Sequence, residues 1–82
     1  MNNQAMCDLV ETICRALVEY PEELHVSLEE NDDGSYVVKI QAKDSDMGKI
    51  IGKSGRIARA IRTVVKSYAM RSNEKVFVEI VE

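Results

Sequence analysis

The chain has 82 residues, with 14 Asp plus Glu against 11 Lys plus Arg and a formal charge of −3 at neutral pH. Its 45 % hydrophobic and 30 % charged content excludes an extended disordered chain and fits one globular domain over residues 1–82 with a modest core. No apolar run approaches the roughly 20 residues that cross a bilayer, and Asp8, Glu11 and Arg15 interrupt the first apolar segment. Neither membrane insertion nor an export signal is therefore expected, and a cytoplasmic location follows.

Met6, Leu9, Val10, Ile13, Ala16, Leu17 and Tyr20 recur at helical spacing, which predicts an amphipathic helix over 4–20 that Pro21 ends. Cys7 and Cys14 lie seven residues apart on it. They form no C-x-x-C pair and are expected as small hydrophobes at the rim of the core. Leu24, Val26 and Leu28 alternate with His25, Ser27 and Glu29, the pattern of a half-buried strand. The turn cluster from Glu30 to Gly34 joins it to a second strand over 36–42, so the two should pair as a hairpin. His25 has no His or Cys partner and reads as a surface strand residue.

Further on, Ile57, Ala60, Ile61, Val64, Val65 and Tyr68 recur at i, i+3, i+4, i+7, i+8 and i+11, which predicts a second amphipathic helix over 54–72. A last strand is expected over 76–81. Its link to the second strand runs through helix, which favours a parallel, right-handed pairing. The order helix, strand, strand, short helix, helix, strand makes an α+β fold, a three-stranded mixed sheet covered by helices on one face.

The average charge hides an asymmetry. Residues 1–46 hold 11 acids and 3 bases, whereas residues 47–82 hold 3 acids and 8 bases. From Met47 to Asn73 there are seven bases and no acid: Lys49, Lys53, Arg56, Arg59, Arg62, Lys66 and Arg71. An acidic protein with a concentrated basic stripe remains open to a polyanionic partner.

That stripe begins at Met47-Gly48-Lys49-Ile50-Ile51-Gly52-Lys53-Ser54-Gly55-Arg56-Ile57. Gly52-Lys53-Ser54 looks like the end of a Walker loop, but the first glycine of G-x-x-x-x-G-K-[ST] would have to stand where Met47 is, so nucleotide hydrolysis is not expected. The physics suits single-stranded nucleic acid better. Gly52 and Gly55 let a sugar-phosphate backbone approach closely, and the helix start aims N–H groups and a positive dipole end at it. Lys49, Lys53, Arg56 and Arg59 add charge, and Ile50 and Ile51 are expected to wall an apolar groove for bases.

The run Ile50-Ile51-Gly52-Lys53-Ser54-Gly55-Arg56-Ile57 resembles the signature of the KH domain, an isoleucine pair and a G-x-x-G loop before a helix. The element order resembles the type II KH fold. The longer run from Ile51 to Val65, with the flanks from Ala16 to Pro21 and Val78 to Val81, is similar to the KhpA family of small stand-alone bacterial KH proteins. That resemblance implies a cytoplasmic RNA chaperone or post-transcriptional regulator, and the residues themselves lead to no expected cofactor or metal. It also implies a homodimer, a heteromer with a KhpB-type KH protein (Jag or EloR), and links to cell elongation, cell shape and envelope or cell-wall homeostasis. Gly52 and Gly55 map to the loop glycines, Lys53 and Ser54 to its variable pair and Ile51 to the groove isoleucine. Together with Lys49, Ile50, Arg56 and Arg59 they make the expected RNA-binding set.

A second reading makes the same loop, with Ile50 and Ile51, mainly a protein–protein seam, with the acidic first half facing a basic partner. Catalysis has little support: one His, no metal-ligand spacing and no nucleophile–base pair.

Overall fold

In the computed structural model, which describes residues 3–81, the alternating apolar positions become a three-stranded sheet. Its strands are β1 (His25–Glu30), β2 (Tyr36–Gln41) and β3 (Val76–Val81) in the order β1-β2-β3. β1 and β2 pair antiparallel across the tight turn, and β2 and β3 pair parallel through the helical crossover, as the sequence predicts. Register places Val26 opposite Ile40 and Leu28 opposite Val38, and on the other side Val38 opposite Val78 and Ile40 opposite Ile80. All six side chains share the face that meets the helices. On the opposite face Lys39 stands between Glu29 (3.2 Å) and Glu79 (3.9 Å), an exposed ion-pair ladder.

Three helices supply the rest of the core: α1 (Asn3–Leu17), α2 (Met47–Ile51) and α3 (Arg56–Ser72). Met6, Val10, Cys14, Ile50, Ile61 and Val65 pack with Leu24, Val38 and Ile40 in one buried cluster. Both long helices are rotated from the predicted faces. On α1, Leu9 is 49 % exposed while Cys7 and Cys14 are buried. On α3, Ala60 and Val64 face outward, and Ala58 and Ala69 are buried instead. Small side chains occupy these contacts because a helix lying close against its neighbours has no room for longer ones.

The cysteines are thus in the core and not at its rim. Burial pushes the Cys14 thiol up to about 11 and raises Cys7 as well, with Asp8 and Glu11 adding to the effect at Cys7. Both remain protonated at neutral pH. Seven helical residues separate them by about 10 Å along the axis, too far for a disulfide.

α1 also stops earlier than Pro21 alone dictates, at Leu17. The cause lies 29 residues further along the chain. The Asp46 carboxylate, fully buried, accepts the backbone N–H of Glu19 (3.1 Å) and of Tyr20 (2.9 Å), which draws the chain out of the helix. The Lys49 ammonium donates to the same carboxylate at 3.1 Å. Burial on its own would raise the Asp46 pKa. The two N–H donors and Lys49 outweigh it and hold the carboxyl below its ordinary value.

A depressed folded-state pKa means that Asp46 stabilises the fold above about pH 4, where the unfolded side chain is also ionised. That contribution is lost as pH falls through the lower folded value. Asp46→Asn is therefore expected to lower the melting temperature at pH 7 by more than loss of an exposed pair such as Arg15–Glu11, and to flatten the loss of stability on acidification below about pH 4. Thermal melts between neutral and acid pH check both effects.

Candidate nucleic-acid interface

The glycine loop leaves α2 by a sharp reversal. The Gly52 N–H closes back on the Gly48 carbonyl at 2.8 Å, and Gly52 itself takes φ 77°, ψ 170°. A tight turn over Lys53–Gly55 follows, in which Ser54 (φ 57°) and Gly55 (φ 74°) also have positive φ. A Cβ on Gly52 would lie 2.7 Å from Ile57 Cγ1 and 3.0 Å from the Ile57 backbone nitrogen. Glycine is thus required there twice, by backbone conformation and by the close approach of α3. A Cβ on Gly55 would meet only the Arg59 guanidinium, at 3.4 Å.

This geometry pushes Lys53 and Ser54 to the exposed tip of the loop, and no side chain caps the start of α3 behind them. The helix therefore begins at Arg56, after the turn, and not at Ser54. Gly52-Lys53-Ser54 follows a helix and not a strand, which is the wrong context for a Walker loop.

Beside the loop lies a groove of about 290 Å³ lined by Ile51, Gly55, Ala58, Arg59, Arg62 and Ile80. Ile51, Ala58 and Ile80 make its apolar floor and walls. Ile80 reaches it because the parallel crossover returns β3 beside β2 and under α3. The predicted isoleucine pair divides: Ile51 lines the groove, and Ile50 is wholly buried in the core. Met47 and Ile50, three apart on α2, share its inward face, which turns Ile51 the other way.

The predicted cations divide as well. All described ion pairs are made by Arg15, Lys39, Lys43 and Lys49. Lys49 is held by Asp46 and, at 3.5 Å, by Glu19, and its hydrogen bond to Asp46 is the main cause of its raised pKa. Lys53, Arg56, Arg59 and Arg62 are exposed and make no ion pair among the described residues. Lys66, Arg71 and Lys75 are likewise exposed and unpaired, so the free positive charge runs from the loop along the length of α3 to the turn before β3.

Comparison with known proteins bears on this arrangement. The family model described as "KhpA/KhpB, KH domain" matches residues 7–80, nearly the whole described chain. The chain belongs to the KhpA/KhpB KH-domain family. It is similar to the RNA-binding protein KhpA of Clostridium perfringens, 50 % identical over 76 residues that cover 93 % of this chain and all of that one. The KhpA of Clostridium acetobutylicum is 47 % identical over the same share, and that of Listeria monocytogenes 40 % over 94 % of this chain and all of its own.

Among solved structures, Aquifex aeolicus Era bound to GDP.AlF4- matches at 20 % identity and a TM-score of 0.56. Era in complex with MgGDPNP and a segment of 16S ribosomal RNA matches at 19 % and 0.53. Each match covers 93 % of this chain but only 29–30 % of the Era chain, and shows a shared fold. The chain thus has the α+β architecture of a KH domain.

Of the residues the sequence placed at one site, Ile51, Gly55 and Arg59 line the groove, whereas Gly52, Lys53, Ser54 and Arg56 form the turn and the helix start beside it. Sequence reasoning missed Ala58, Arg62 and Ile80 as groove residues. Arg62 could have been found, since it continues the i, i+3 row of Arg56 and Arg59. Ile80 could be placed only once the register of β3 was known.

Proposed function

We propose that the chain binds single-stranded RNA at the glycine loop and the groove beside it. Gly52, Lys53, Ser54, Gly55, Arg56, Arg59 and Arg62 face the sugar-phosphate backbone, and bases lie over Ile51, Ala58 and Ile80. The observation that carries this reading is the meeting of an open glycine loop, a cluster of unpaired cations and an apolar groove on one side of α3. Relatives named RNA-binding protein KhpA, alike over nearly the full length, support it. Lys49, paired with Asp46 and Glu19, stands at the edge of the site, and Ile50 supports Ile51 from the core.

A loop of this kind clamps about four nucleotides, and one such site binds weakly. A second copy of the chain or a KhpB-type partner would convert the next contact into an intramolecular one and raise affinity. On this reading the protein acts in the cytoplasm as an RNA chaperone or post-transcriptional regulator, as a homodimer or with that partner, in processes tied to cell elongation and envelope homeostasis. No helix among the described residues is long and apolar enough to cross a membrane.

A salt titration tests the site. Phosphate contacts make log affinity fall with log salt by about 0.7 per contact on single strands, so three or four contacts give a slope of about 2–3. Arg62→Ala is expected to weaken binding about fivefold and reduce that slope by about 0.7. A slope near zero would instead mark an apolar seam built on Ile51 and its neighbours.

A further inference from the structure

The groove at the glycine loop does not end at Arg62. The same side chain also lines a second, larger groove, of about 580 Å³, between α3 and the free edge of β3. Arg62, Lys66, Met70, Lys75, Val76 and Phe77 border it. β3 is an edge strand, and the Tyr36 N–H bonds to the Lys75 carbonyl. The odd-numbered residues of β3 therefore bond to β2, so Val76, Val78 and Ile80 turn their N–H and C=O groups toward the open edge.

The composition repeats that of the first groove, an apolar floor with cations on the rim. Two large apolar side chains stand at it unburied, Phe77 at 56 % and Met70 at 72 % exposure. Three cations line it with one acid, and Lys75 also lies within electrostatic reach of Asp33 in the turn between β1 and β2. The lining acid, Glu74, already accepts the Asn3 side-chain amide at 2.9 Å. Charge complementarity thus favours an anionic strand, and continuity through Arg62 says where it comes from.

The geometry points to a second RNA subsite, in which nucleotides beyond those at the glycine loop pass Arg62 and follow the edge of β3. Their phosphates lie beside Lys66 and Lys75, and one base stacks on Phe77, the one Phe in the chain. This inference rests on the RNA reading of the glycine loop and extends it from about four nucleotides to a longer stretch.

Fluorescence anisotropy with four- and eight-nucleotide oligouridylates on the full chain tests it, beside the variant Lys66→Ala, Phe77→Ala. Both residues are exposed, so the variant should fold, and Lys66→Glu alone serves as a second, charge-reversing probe. The unaltered chain should bind the eight-mer about tenfold or more tighter than the four-mer, with a steeper salt slope by about 0.7–1.4. The double variant should lose most of that length advantage and keep its four-mer affinity. Equal eight-mer affinity in variant and unaltered chain overturns the subsite while leaving the glycine-loop site standing. If the unaltered chain binds neither oligomer, the glycine-loop reading fails and the extension falls with it. Unchanged eight-mer binding together with a concentration-dependent dimer that the variant abolishes would make the groove a protein seam, which also overturns the proposal.

Discussion

The double substitution Lys53→Asp, Ser54→Asp is expected to abolish RNA binding while leaving the fold intact. Both side chains stand exposed at the loop tip, so no core contact is lost. Ser54 sits at φ 57°, ψ 26°, in the left-handed region that Asp and Asn enter more readily than most residues, so aspartate fits the existing backbone. The charge at the tip changes from +1 to −2 where the first phosphates must approach, which both removes contacts and repels the strand. A loss of at least about 100-fold at low salt is expected, with the melting temperature shifted by no more than about 2 °C. Anisotropy and thermal melting of the same sample check the two halves of the statement. Retained RNA crosslinking in the folded variant would remove the loop from the interface.

Gly52→Ala is expected to have the largest effect of any single substitution in the loop, and to act through the backbone. Gly52 lies at φ 77°, ψ 170°, a conformation almost confined to glycine that costs other residues about 1–3 kcal/mol. The added methyl also meets Ile57 Cγ1 at 2.7 Å and the Ile57 nitrogen at 3.0 Å, and a backbone atom at the start of α3 cannot move aside alone. Together these should cost about 2–4 kcal/mol and lower the melting temperature by about 10 °C or more. RNA affinity should fall with it, because relief of the clash displaces the loop from the groove. Gly48→Ala is the control: a Cβ there meets nothing within 4 Å, and the residue is helical, so stability should hold or rise by about 0.5–1 kcal/mol. Gly55→Ala should fall between them. Differential scanning calorimetry on the three variants orders these effects.

What the sequence made legible follows from where the information lies. The strands were readable because alternation is a local property: Val76, Val78 and Ile80 pointed to the last strand with the bounds the structure has. The glycine loop was readable because its residues are consecutive and glycine has a physical meaning at each end of it. The helix faces were only half readable. A periodic template counts Leu9 and Val64 as core, whereas close packing against the neighbouring elements selects Cys7, Ala58 and Ala69.

The remaining differences all depend on contacts between distant residues. Pro21 marks a local stop, yet α1 ends at Leu17 because Asp46 captures the N–H groups of Glu19 and Tyr20. The same carboxylate takes Lys49 out of the set of free cations, which no count of charges along the chain could show. Ile50 and Ile51 are equivalent as letters and are separated only by the rotation of a short helix against the sheet. Ile80 enters the groove through a parallel register with β2, 40 residues away in the chain.

The most direct measurement is an NMR titration of the isotope-labelled full chain with a single-stranded octauridylate, following every backbone amide. Shifts are expected to concentrate at Ile51 to Arg62 and at Ile80, extending to Lys66 and Phe77 at the second groove, with α1 and the hairpin of β1 and β2 unmoved. Shifts confined to α1 or to the outer face of the sheet, with Gly52 to Arg59 silent, would contradict RNA binding at the glycine loop.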